Sequence, residues 1–169
     1  NLCISTFALH FWKKVLQIRF LVNMNIYGLT VKKLEEYFKS IGENPAKAKI
    51  VFKAVYRDKI NSFKEISNLG EPIKNRLEKD FVFEKLSLVT TSESDDTCKY
   101  LFKLSDGLTV ETVLMKHDYG NGVCVSTQVG CNMDCIFCES GKLKKVRNLE
   151  VYEIVQQLWF IIDELKIPV

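Results

Sequence analysis

The chain has 169 residues and a mass of 19.5 kDa, and 47% of its residues are hydrophobic. This length allows one domain, or a small domain with part of another, and the low content of 8 glycines and 3 prolines argues against a disordered chain. The formal net charge is only +3, and the acid-free segment 1–24 carries three of the basic residues, so the remainder is neutral. Global charge therefore gives weak support for a nucleic-acid partner.

Residues 1–24 form an apolar and basic segment that we place outside the folded domains. Lys13, Lys14 and Arg19 interrupt its apolar run, which stays below the roughly 18 residues of a membrane span. It also lacks a clear small-residue cleavage site, which argues against a signal peptide. We expect Met24 to be the natural start, and an amphipathic surface segment is the alternative.

A small helical accessory domain is predicted over residues 25–90. Thr30 is a candidate N-cap for the first helix, and Gly42 suits its C-terminal stop. Ser62 with Glu65 has the pattern of a capping box. The predicted helices cover residues 31–41, 44–57, about 62–65 and 71–81.

The polar stretch TTSESDDT, residues 90–97, is predicted to be the domain boundary. Beyond it the apolar period changes from that of a helix to that of a strand, and Ser105–Asp106–Gly107 indicates a hairpin turn. The predicted strands are 98–104, 108–115 and 122–130, and a helix follows over 147–166. The broad apolar face of that helix is typical of one laid against a sheet. The fold class is therefore α+β to α/β.

The stretch GCNMDCIFCES contains three of the six cysteines, with C-x3-C-x2-C spacing. Cys131, Cys135 and Cys138 can hold three irons of a [4Fe–4S] cluster and leave the fourth iron open. The alternative is a structural zinc site, which requires four ligands. His117 and Cys124 are conceivable fourth ligands, but they lie on the far side of a predicted strand. Clustered cysteines in a Lys- and Glu-rich chain indicate metal binding or reactivity in a cytoplasmic protein rather than a secreted disulfide scaffold.

The cysteine loop, with Phe137 before its last cysteine, resembles the cluster loop of radical S-adenosylmethionine (SAM) enzymes. The longer stretch CVSTQVGCNMDCIFCESGKLKKVRNLEVYEIVQQ is similar to the adenine-C2 RNA methyltransferases that act on 23S rRNA and tRNA. YLFKLSDGLTVETVLM and the helical stretch from GLTVKKLEEYF also resemble that family. The resemblance runs from about Asn25 to the end and is specific, because order and spacing agree across two domains. It implies that residues 98–169 form the first strands and helix of an incomplete radical SAM (β/α) barrel, behind an RNA-binding-like helical domain.

The resemblance implies radical chemistry, because C2 of adenine is electrophilic and offers no nucleophile to a simple methyl transfer. The three loop cysteines would hold the [4Fe–4S] cluster, SAM would bind the fourth iron, and reduction would cleave SAM to a 5′-deoxyadenosyl radical. In the family a cysteine carries the methyl group, whose methylene radical adds to C2, and a second cysteine helps to resolve the adduct. Cys124 matches that second cysteine. From the residues alone, a buried strand cysteine is the simpler interpretation of Cys124.

Glu111 is a carboxylate in the middle of a predicted strand, on the same side as Thr109, Val113 and Met115. If that side is buried, its pKa should rise and Glu111 could transfer protons. A charge facing water from an edge strand is the alternative. The resemblance implies a proton acceptor at this position.

The segment that follows the cysteine loop is basic and could contact RNA phosphates, although charge alone favours a solvated loop. Arg147 and Asn148 match an Arg-Asn pair of the family. The candidate RNA or SAM contacts are Gln128, Lys142, Lys144, Lys145, Arg147 and Asn148. The implied partners are 23S rRNA, tRNA and an electron donor such as flavodoxin or ferredoxin, with a monomeric protein and no membrane. An unpaired or flipped base suits such a substrate.

The family is longer than this chain, and two of its parts have no counterpart here. They are the Gly-Glu-Pro segment that binds the SAM amino group and the methyl-carrying cysteine, since Cys3 and Cys98 lie in the wrong segments. One strand–helix unit cannot close a barrel. We therefore expect the N-terminal portion of a methyltransferase, inactive alone. A non-enzymatic RNA-binding module and a metal-binding remnant are the alternatives.

Overall fold

The computed structural model describes residues 24–133 and 135–166, in two compact units that divide between Phe83 and Glu84. The predicted extension over 1–23 lies outside the described residues. Within the described ranges, no helix has both the length and the apolar character needed to cross a bilayer.

The first unit is helical, as predicted. Its elements are β1 (Met24–Asn25), a 3-10 turn (Ile26–Gly28), α1 (Val31–Ser40), α2 (Lys47–Tyr56), a 3-10 turn (Phe63–Glu65), α3 (Glu71–Asp80) and β2 (Phe81–Val82). Thr30 caps α1 by accepting a hydrogen bond from the Lys33 N–H, and the capping box of Ser62 and Glu65 is formed. The parallel pairing of β1 with β2 was not predicted, because two-residue strands carry no periodic signal.

The core of the helical unit is rich in aromatic residues. Phe38 and Phe63 are fully buried, and the Phe81 ring packs edge-on against Tyr37 with ring centroids 4.7 Å apart. The Tyr37 hydroxyl donates a 2.8 Å hydrogen bond to Asp80, so the buried carboxylate of Asp80 is satisfied. Fully buried side chains of this size supply most of the stabilising energy of a small unit.

The second unit is a sheet covered by one helix. Its elements are β3 (Ser87–Ser94), β4 (Thr97–Lys103), β5 (Thr109–His117), β6 (Gly120–Cys124), β7 (Gln128–Val129), a 3-10 turn (Glu139–Lys142), β8 (Arg147–Asn148) and α4 (Val151–Glu164). The first four strands form an antiparallel sheet in sequential order, and β7 pairs with β8. The predicted hairpin at Ser105–Asp106–Gly107 joins β4 to β5.

Two sequence predictions about this unit need correction. Residues 90–97, predicted to be the domain boundary, lie within the second unit. Most of them belong to β3, an exposed edge strand that pairs with β4 along its length. Polar residues form such a strand when the backbone pairs and neither face needs burial. The predicted strand 122–130 is also interrupted, since β6 ends at Cys124 and β7 begins at Gln128.

Helix α4 covers one face of the four-stranded sheet. Phe160 packs against Tyr100 and Phe102 of β4, with ring centroids 5.9 and 5.0 Å apart. The opposite face, here called the open face, carries the alternate residues of the strands. Its members on β4, β5 and β6 are Lys99, Leu101, Glu111, Val113, Met115, His117 and Cys124.

Candidate functional site

The cysteine loop is closed at its neck by backbone contacts. The Cys131 N–H donates to the Leu143 carbonyl at 2.8 Å, and the Val146 N–H donates to the Val129 carbonyl at 2.9 Å. Gly130 makes this closure possible, because its φ is +70° and a Cβ there would lie 2.2 Å from the Lys144 carbonyl oxygen. Only glycine accepts that backbone at that approach.

The three loop thiols are free and partly exposed. The Cys138 N–H donates to the Cys135 carbonyl at 3.1 Å, so these two cysteines share one turn. Across the described residues, no three or more Cys, His, Asp or Glu side chains are gathered closely enough to hold a metal ion. His117 and Cys124, the conceivable zinc ligands, therefore do not complete a preformed site with the loop there.

The donor set nevertheless fits an iron–sulfur cluster. Thiolates are the ligands of such clusters, and here three unpaired thiols lie on one short loop. The apolar side chains beside the cysteines are exposed, since Ile136 is 97% and Phe137 92% accessible. Phe137 thus belongs to no core here, and its predicted shielding of a cluster stays a prediction.

A cleft of about 720 Å³ lies between the cysteine loop and the open face of the sheet. Its lining brings together four of the predicted site residues: Glu111, Gln128, Cys131 and Lys142. Cys124, Cys135 and Cys138 are not part of this lining, nor are the basic residues after Lys142. The volume is that of a typical small-molecule site.

Glu111 and Cys124 share the open face. Val113 is the cross-strand partner of Cys124, so Glu111, two residues earlier, is its diagonal neighbour at roughly 7–8 Å. Glu111 is about half exposed and lies 3.7 Å from Lys99, and Cys124 is exposed at the end of β6. Glu111 therefore faces water, as its alternative interpretation had it, although β5 is an internal strand rather than an edge strand. The buried Cys124 expected from the residues alone is wrong.

A buried glutamine fixes the segment between Cys124 and Gln128. The Gln157 amide accepts hydrogen bonds from the Thr112 hydroxyl at 2.7 Å and the Ser126 N–H at 2.8 Å, and it donates to the Ser126 carbonyl at 3.0 Å. The Ser126 hydroxyl in turn donates to the Glu111 carbonyl at 2.6 Å. This network ties α4, β5 and the lining of the cleft together. Sequence reasoning missed it, although a glutamine on the apolar face of a helix was the available signal.

Arg147 is occupied by carboxylates of its own unit. It makes a bidentate pair with the buried Glu153, both contacts at 2.8 Å, and a 2.7 Å contact with Asp106. The hydrogen bonds to Glu153, and then those to Asp106, raise the pKa of Arg147 above its ordinary value. The backbone N–H of Leu108 and then Arg147 lower the pKa of Asp106. Arg147 therefore links the hairpin turn to the start of α4.

The other predicted basic contacts lie on the surface. Lys142 pairs with Glu139, Lys144 is exposed and Lys145 is half-buried. Asn148 is exposed and pairs with Gln128 between β8 and β7. The part these side chains play in RNA or SAM binding stays a prediction.

The fold and the cysteine loop together define part of a radical SAM methyltransferase. The structure superposes on a radical SAM methyltransferase from Sphaerobacter thermophilus with a TM-score of 0.72 and 32% identity, over 85% of this chain and 42% of that one. Residues 24–82 match the family described as Ribosomal RNA large subunit methyltransferase N-terminal domain.

Curated relatives give the family by sequence. A probable dual-specificity RNA methyltransferase RlmN of Exiguobacterium sibiricum is 44% identical over 135 residues, or 79% of this chain. The protein of the same description from Listeria welshimeri is 47% identical over 135 residues, again 79% of the chain. The chain belongs to the RlmN family, and it spans 37–38% of the length of these two relatives.

Proposed function

We propose that this chain supplies the cluster-binding part of a radical SAM methyltransferase that methylates C2 of adenine in 23S rRNA and tRNA. The observation that carries the proposal is the placement of three free cysteines on a neck-closed loop that borders the same cleft as Glu111. The membership of the chain in the RlmN family supports the substrate class. The exposure of Glu111 and Cys124 on one sheet face suits groups that must reach a substrate.

Each residue then has a role that its position allows. Cys131, Cys135 and Cys138 would hold a [4Fe–4S] cluster, which supplies radical chemistry together with SAM when both are bound. Glu111 would accept the proton that C2 of adenine loses. Cys124, an exposed thiol roughly 7–8 Å along the same face, would be the sulfur that resolves the adduct.

The proposal also implies an electron donor, a location, an oligomeric state and phosphate contacts. Reduction of the cluster requires an electron donor such as flavodoxin or ferredoxin, and a cytoplasmic location keeps free thiols reduced. We expect a monomer. The exposed Lys142 and Lys144 would contribute phosphate contacts, which supply affinity rather than sequence choice.

Anaerobic purification and reconstitution of the 169-residue chain tests the cluster assignment. We expect iron and acid-labile sulfide in nearly equal amounts, and an electron paramagnetic resonance signal that changes when SAM is added. Cys131→Ala, Cys135→Ala and Cys138→Ala should each abolish that signal, whereas Cys98→Ala should keep it, because Cys98 is buried in the sheet core. Stoichiometric zinc without sulfide would overturn the assignment.

Methylation is tested on the protein as its source cells make it. The intact mass of that protein establishes its length. Mass spectrometry of nucleosides from a treated 23S rRNA fragment and from tRNA should reveal 2-methyladenosine. Glu111→Gln and Cys124→Ala should each abolish turnover. Turnover by Cys124→Ala at the unsubstituted rate would remove that thiol from the mechanism.

A further inference from the structure

The tip of the β5–β6 hairpin carries an exposed pair of stacked rings. His117 and Tyr119 lie nearly parallel, with ring centroids 4.9 Å apart and an interplanar angle of 9°. Tyr119 is 88% exposed, so His117 covers one face of its ring and leaves the other to solvent. The residue that follows is Gly120, around which a Cβ would meet nothing within 4 Å.

The ring pair stands at the end of the open face. That face leads from Glu111 in the cleft through Val113 and Met115 to His117. Glu111 and His117 are six residues apart on one strand, so they are separated by about 20 Å. An extended polymer that places one unit in the cleft can therefore reach the hairpin tip with a unit a few positions further along.

Two lysines near this path lie in exposed ion pairs. Lys116, next to His117, pairs with Glu93 at 3.1 Å, and Lys99 lies 3.7 Å from Glu111. All four side chains are more than 40% exposed, and exposed pairs of this kind contribute little energy. Both lysines can exchange their carboxylate partner for a phosphate at small cost.

We propose that the His117–Tyr119 pair is a stacking site for an unpaired RNA base a few nucleotides from the base bound in the cleft. Exposed aromatic side chains on which bases stack are a recurrent means by which proteins hold single-stranded nucleic acid. The tip is also flanked by Lys116, Asp118 and Asn121, so it is not part of a continuous apolar patch that would indicate a protein partner. The inference rests on the proposed function, because it takes RNA as the substrate.

The test measures binding of a fluorescein-labelled single-stranded RNA of about 12 nucleotides to the full chain by fluorescence anisotropy. Tyr119→Ala should raise the dissociation constant about 5- to 100-fold, and Tyr119→Phe, the matched control that keeps the ring, should change it less than about twofold. The dependence of affinity on salt should be the same for both variants and for the unsubstituted chain, because no charge is removed. Lys99→Ala should reduce that dependence.

Each outcome supports or overturns the stacking site. If the unsubstituted chain binds RNA and Tyr119→Ala binds it equally well, the stacking site is overturned and the proposed function stands. If both Tyr119 variants weaken binding equally, the hydroxyl rather than the ring is responsible, which also overturns it. If the unsubstituted chain binds no RNA, both the stacking site and the RNA-binding role of this chain fail. Melting temperatures within a few degrees of each other exclude a folding defect.

Discussion

The helical unit and the cysteine loop place their aromatic side chains in opposite environments. Phe63 is fully buried among other aromatic rings, whereas Phe137 is almost fully exposed. The helical unit is therefore stabilised by its core, while the loop depends on the hydrogen bonds at its neck. Side-chain burial determines the stability of one region, and backbone geometry determines the conformation of the other.

Replacing a phenylalanine by alanine should reduce stability far more in the helical unit than in the cysteine loop, and this is the largest difference expected between the two regions. Phe63→Ala should lower the free energy of unfolding of the helical unit by about 3–5 kcal/mol, through lost burial and a cavity. Phe137→Ala should change stability by less than about 0.5 kcal/mol, as expected for an exposed side chain. Urea unfolding followed by circular dichroism measures both. A large loss for Phe137→Ala in the metal-free protein would contradict the exposed loop.

The neck of the loop is tested at Gly130. Gly130→Ala should cost about 3 kcal/mol or open the neck, because it adds a clash to a backbone conformation that already costs about 1–2 kcal/mol without glycine. Gly107→Ala is the control, since its φ is +86° but a Cβ there meets no atom within 4 Å. It should show only the conformational cost. Hydrogen exchange of the Cys131 and Val146 amides reports the opening, and equal effects at both glycines would exclude the clash.

The hydrogen bonds of Gln157 allow a test of what holds the cleft lining of the second unit in place. Gln157→Leu should destabilise it by about 2–3 kcal/mol, because the Thr112 hydroxyl and the Ser126 N–H lose their partner. Faster hydrogen exchange at Ser126 in the leucine variant would show that the cleft lining is released. Unchanged exchange there would mean that the network does not hold the segment.

The smallest effect concerns pH and the helical unit. Burial, and then the neighbouring Tyr27, raises the pKa of Tyr56 to about 12, and its hydroxyl donates to the Tyr27 carbonyl at 2.6 Å. A folded-state pKa above the unfolded value of about 10 stabilises the fold fully below pH 10, and this stability is lost as pH rises from about 10 to 12.

The comparison is made with Tyr56→Phe. The stability difference between the unsubstituted chain and this variant should shrink by about 1–2 kcal/mol between pH 9 and pH 12. Thermal unfolding across that range measures it. A difference that stays constant with pH would mean that Tyr56 ionises equally in the folded and unfolded states.

Local signals in the sequence predicted much of the fold. The caps at Thr30 and Ser62, the hairpin turn at Ser105–Asp106–Gly107 and the apolar face of α4 are where the sequence indicated them. Each of these features depends on residues within one turn or one hairpin. Part of the polar edge strand β3 was predicted to be the domain boundary, because its pairing comes from β4 rather than from any pattern of its own.

The candidate site shows the same division. The residue spacing alone indicated the thiol cluster on 131–138, and the family resemblance pointed to Cys124 and Glu111. The burial and the hydrogen-bond partners of these side chains could not be predicted from spacing or from the resemblance. Arg147 contacts Asp106, and Gln157 holds Ser126, through hydrogen bonds between residues 41 and 31 positions apart in the chain.

The sequence by itself thus indicated the family, the three closely spaced cysteines and most of the helices and strands, because motifs and periodicity are local. Only the tertiary structure decided that Glu111 and Cys124 are exposed on one face, that Gly130 closes the loop, and that Tyr119 stands free at the hairpin tip. These features depend on strand register and on the packing of α4. Both are set by contacts across the fold that no single segment encodes.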